Sequence, residues 1–62
     1  MKITRVLPNG ETQEKDCSTV MVEMPNGALV SASVISQPNP LMIEVEMEGK
    51  TQWVSILDIV SW

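Results

Sequence analysis

The chain has 62 residues, is 44% hydrophobic and carries a formal net charge of −4, which fits one small domain and is too apolar for disorder. Its four basic residues, Lys2, Arg5, Lys15 and Lys50, are scattered, so nothing resembles the cationic patch that displaces counterions from phosphates, and nucleic-acid binding is not expected. Histidine is absent and Cys17 is the one cysteine, which excludes a His/Cys zinc site and an internal disulfide; no cofactor or metal is expected.

The chain opens Met1-Lys2-Ile3-Thr4-Arg5. This stretch is too short and polar for a signal peptide, and no apolar run approaches the ~20 residues of a membrane span. Met1 and Ile3 predict a first strand over residues 1–7. Pro8-Asn9-Gly10 then predicts a tight turn, because Asn-Gly accepts positive φ. No element is assigned to residues 11–18. Cys17 reads as a buried or half-buried small hydrophobe rather than a nucleophile, and a lone cysteine in so small a domain points to a reducing cytoplasm.

From Thr19 onward the chain alternates. Val20, Val22 and Met24 share one face, with Thr19, Met21 and Glu23 opposite. A second turn follows at Pro25-Asn26-Gly27. Ala28, Val30, Ala32 and Val34 then oppose Leu29, Ser31, Ser33 and Ile35. Gln37-Pro38-Asn39-Pro40 reads as a stiff connector. Leu41, Ile43, Val45 and Met47 oppose Met42, Glu44, Glu46 and Glu48, the cleanest period-two pattern in the chain. Glu48-Gly49-Lys50 makes a third turn. Residues 55–59 allow one helical turn, capped by Asp58. Ile59-Val60-Ser61-Trp62 reads as a closing strand that pairs with the first.

These elements predict a single all-β domain over residues 1–62, with five or six short antiparallel strands and one 3₁₀ turn before the last. No helix is available to cover the sheet. Closure into a small barrel would hide both the apolar face and the strand edges.

No residue cluster has the form of a catalytic site, so the chain is not read as an enzyme. The acidic stripe Glu44, Glu46 and Glu48 has no nucleophile partner; it reads as a solvated face, edge protection or an attraction for a basic partner. Met21, Leu29, Ile35 and Met42 form a second apolar set on the faces opposite the core. Trp53 and Trp62 either join them at an interface or seal the core; the set predicts a homo-oligomer, a homodimer in its simplest form. The sequence does not identify any other protein partner.

Gly27-Ala28-Leu29-Val30-Ser31-Ala32-Ser33-Val34-Ile35 resembles the Tudor pattern, and Ile43-Glu44-Val45 looks like the next strand of it. Trp53-Val54-Ser55-Ile56-Leu57-Asp58-Ile59 is similar to the closing segment of SH3-like barrels. The resemblance covers residues 25–62. It implies an SH3-like barrel, a fold that serves binding modules more often than enzymes, and it leaves function open. Tudor domains hold methylated side chains in aromatic cages. With no Tyr, no Phe and two Trp, this chain cannot build one alone. The resemblance also extends to the type II dihydrofolate reductases, oligomeric barrels whose pore uses a Val-Gln-Ile-Tyr segment. Here the matching segment is Val54-Ser55-Ile56-Leu57, so Ser55 and Leu57 replace the pore Gln and Tyr. The expected role is a small cytoplasmic protein-interaction module, homo-oligomeric, and an accessory protein of a mobile element. The alternatives are a nucleic-acid-associated barrel acting as an oligomer and a small pore-forming oligomeric enzyme.

Overall fold

The computed structural model describes residues 1–62. The chain runs β1 (Lys2–Val6), β2 (Thr12–Asp16), β3 (Thr19–Glu23), β4 (Leu29–Asn39), β5 (Met42–Met47), β6 (Lys50–Ser55), a 3₁₀ turn η1 (Ile56–Asp58) and β7 (Ile59–Ser61). The protein is therefore all-β. No helix is long and apolar enough to cross a membrane. Five strands form an antiparallel sheet in the order β6-β5-β4-β3-β7, and β1 and β2 form a separate hairpin.

Alternation places the core. β3 buries Val20 and Val22, β4 buries Ala32, and β5 buries Ile43, Val45 and Met47. A strand turns successive side chains to opposite faces, so these residues line one side of the sheet. Ile3, Ile56 and Ile59 close over that side from β1, η1 and β7. No buried side-chain polar atom lacks a partner.

Both Pro-Asn-Gly segments fold alike. In the first, Gly10 N–H donates to Leu7 O, Leu7 N–H to Glu11 O and Glu11 N–H to Asn9 Oδ1. In the second, Gly27 N–H donates to Met24 O, Met24 N–H to Ala28 O and Ala28 N–H to Asn26 Oδ1. Gly10 and Gly27 share a φ of 86°, a region that L side chains rarely adopt. Shared turn chemistry thus gives two hairpins of quite different sequence.

Several expectations are corrected. The strands number seven rather than five or six. The addition is β2, which contains no apolar residue and is exposed throughout; the turn at Gly10 folds it back onto β1. The strand ladders form two antiparallel sheets, and β6 has one strand neighbour. The closing strand pairs with β3, not with residues 1–7: Val22 lies opposite Ile59 and Met21 opposite Ser61, with a bulge between. The connector Gln37–Pro40 is largely strand, since β4 runs to Asn39. Pro38 is tolerated because the β4–β5 ladder shifts register between Ser36 and Asn39, so no pairing is required of it. The cap of η1 is Ser55, whose Oγ accepts from Leu57 N–H at 3.2 Å, and Asp58 lies within the turn.

Side chains, not a ladder, join the hairpin to the larger sheet. Gln37 mimics a strand neighbour: its Oε1 accepts from Thr4 N–H at 2.7 Å and its Nε2 donates to Thr4 O at 2.8 Å. Arg5 donates to Ile59 O at 3.3 Å and sits 4.9 Å from the centre of the Trp62 ring. Lys15 Nζ donates to Trp62 O at 2.7 Å.

Candidate functional site

Two turns build the most apolar cleft of the molecule. At the β4–β5 turn, Asn39 Oδ1 accepts from both Leu41 N–H and Met42 N–H. That fixes the turn and leaves Leu41 66% exposed. At the end of β6, the Ser55 cap winds η1 so that Ile56 enters the core while Leu57 is left 80% exposed. Ile56 N–H donates to Leu41 O at 2.9 Å and locks the two turns together. Arg5, Val6, Leu7 and Pro8 of the first hairpin supply the third wall. The resulting cleft encloses about 710 Å³ and is mostly apolar. Leu41 was expected on the core stripe with Ile43; its place in the turn puts it outside instead. Leu57 follows the buried Ile56 in a single tight turn, and that adjacency was the one hint of its exposure.

The outer face of the sheet carries most of the residues expected at an interface, but it divides them. Glu44 lies opposite Trp53 on one side and Ser36 on the other, and Ser36 Oγ donates to Glu44 Oε1 at 3.0 Å. Met42 is two residues along β5 from Glu44, and Ile35 is the unpaired residue of the bulge beside Ser36. Trp53, Met42 and Ile35 thus surround Glu44. Met21 and Leu29 lie toward the other end of the sheet, opposite Ser31 and Glu23. Between the two groups runs a polar row, with Glu46 opposite Ser33 and Thr51, and Ser33 opposite Thr19. Trp53 is 52% and Leu29 57% exposed. Trp62 is half-buried against the core rim, beneath the Arg5 guanidinium.

The acidic stripe is shorter than the sequence implied. Glu44 and Glu46 occupy β5, but Glu48 has a φ of 52° and belongs to the two-residue turn with Gly49. Cys17 is half-buried beside Trp62. No group of three or more His, Cys, Asp or Glu is placed to hold a metal ion. No family model, curated protein or solved structure matches the chain.

Proposed function

We propose that this chain is a protein-interaction module of the SH3-like barrel type that associates with itself. The observation that carries the reading is the unusual amount of large apolar side chain left in solvent: Leu29, Leu41, Trp53 and Leu57 are each more than half exposed in a domain with nine buried residues. A monomer this small has little core to offset such exposure, whereas an interface removes it from water. The fold reading is supported by strand order. Counting β3 as the first strand of the module, the closing strand after the 3₁₀ turn pairs with the first strand, as it does in SH3-like barrels. The hairpin β1–β2 is then an N-terminal addition laid across the open side. The lone Cys17 supports a reducing, cytoplasmic location for the module.

Sedimentation velocity from micromolar to millimolar concentration tests the reading. A mass that rises from 6.9 kDa toward a multiple of it supports self-association. A mass fixed at 6.9 kDa across that range overturns it.

A further inference from the structure

Strand β6 lies at the edge of the five-stranded sheet, with β5 as its only strand neighbour. The direction of its free backbone groups follows from the turn. Glu48 and Gly49 form a two-residue hairpin loop, so the flanking pair Met47 and Lys50 exchange hydrogen bonds. Bonded pairs then recur at every second residue, at Val45 with Gln52 and Ile43 with Val54. The bond from Ile56 N–H to Leu41 O continues the same phase past the end of the strand. Hence Lys50, Gln52 and Val54 aim their amides at β5. Thr51, Trp53 and Ser55 aim theirs away from the sheet.

The other edges are guarded. β2 carries Glu14, Lys15 and Asp16, all exposed, and Asp16 holds the N-terminal ammonium at 2.7 Å. Charge along an edge opposes strand addition. β7 has three residues, a bulge, and Arg5 donating to Ile59 O. Gln37 occupies the backbone of Thr4 in β1. β6 has six residues, no proline, no bulge, and a single charge at its start, Lys50.

We propose that β6 pairs antiparallel with β6 of a second copy, about a two-fold axis at Trp53, joining two five-stranded sheets into one. This rests on the self-association reading and names its surface. The register is set by the free groups. With Trp53 opposite its own copy, Thr51 faces Ser55 of the other chain and the reverse, so all three outward residues on each strand find partners. A shift by two residues would leave one unpaired on each strand. Charge favours a second copy as the occupant. The paired stretch from Thr51 to Ser55 is neutral, and Lys50 falls at the end of the ladder, toward the η1 turn of the other chain, which carries Asp58. The two copies of Glu44 stand three strand spacings apart, about 14 Å, which exceeds the ~8 Å screening length at physiological salt. The exposed Trp53 ring meets its copy across the axis, an arrangement in which paired aromatic rings attract.

Thr51→Pro tests the pairing, because it removes an outward N–H and no β5–β6 bond. We expect a cooperative melt with a dimer dissociation constant raised at least about tenfold, the effect of roughly 1.4 kcal/mol. Amide exchange in the wild-type chain gives an independent readout should this variant fold poorly. Exchange at Thr51, Trp53 and Ser55 should slow about threefold for each tenfold rise in concentration above the dissociation constant, by mass action. Gln52 and Val54 should be protected at every concentration. A wild-type dimer whose Thr51, Trp53 and Ser55 amides exchange alike at all concentrations, or which Thr51→Pro leaves intact, overturns the edge pairing and leaves self-association standing. A wild-type chain that stays monomeric overturns both.

Discussion

Strands β2 and β6 are each the outermost strand of a sheet and are exposed along most of their length, yet their chemistry is opposite. β2 reads Thr-Gln-Glu-Lys-Asp and has no apolar residue. Two of its three charges are engaged within the chain, Asp16 on the N-terminus and Lys15 on the Trp62 carbonyl. β6 places Trp53 in solvent and leaves alternate amides without a strand neighbour. Solvent exposure of an edge strand therefore does not by itself separate the two. What distinguishes the two edges is whether a neighbouring strand would meet charge or free, neutral backbone.

The largest effect on this contrast should come from the sheet that carries β6. Val45 is fully buried on β5 and lies opposite Gln52 of β6. Val45→Asp should abolish cooperative folding, because an unpaired buried charge costs several kcal/mol, of the order of a small domain's whole stability. A thermal melt checks this. A wild-type-like transition would mean that the buried and outer faces of β5 are reversed.

The hairpin that carries β2 should detach more easily. Gln37→Leu removes both bonds to Thr4 and leaves a part-buried backbone pair unsatisfied, a loss of about 1–3 kcal/mol. Chemical denaturation should report that loss, and amide exchange should speed up in β1 and β2 more than in β5. Equal acceleration in both regions would show that the hairpin and the sheet open as one unit.

The smallest effect is a gain. Glu48 is held at a φ of 52°, a left-handed conformation that costs most L residues about 1–2 kcal/mol. Glu48→Asn should recover about 0.5–1 kcal/mol, since Asn suits the first position of this turn. The melting temperature should rise by a few degrees. An unchanged or lower value would mean that the Glu48 side chain contributes something its backbone angle conceals.

The sheet was legible in the sequence wherever two faces differ in polarity. The alternation from Val20 to Val22 and from Ile43 to Met47 gave the core, and the Pro-Asn-Gly segments gave the turns. β2 was not legible, because a strand without apolar residues has no period to read; only its turn and its partner make it a strand. The neighbour of β7 was misread for a related reason. Alternation identifies a strand but not what lies beside it, and here the core behind β3 draws Ile59 in next to Val22. At the candidate site, the sequence left Trp53 between an interface and the core, and the structure leaves it 52% exposed. The cleft was not legible, because Leu41 and Leu57 owe their exposure to the side-chain caps of Asn39 and Ser55, which act across turns rather than along a pattern.

The contrast between the two edges can be tested by placing the same charge on each. Thr51→Lys alters β6 opposite Glu46, so the sheet within one chain gains a cross-strand ion pair, while Gln13→Lys alters β2 opposite Arg5. Sedimentation of both variants beside the wild-type chain is the most direct test. An open β6 edge predicts that the wild type and Gln13→Lys sediment as dimers, at twice 6.9 kDa, while Thr51→Lys falls to 6.9 kDa. If Thr51→Lys remains dimeric, or if both variants dissociate equally, the β6 edge is not a pairing surface.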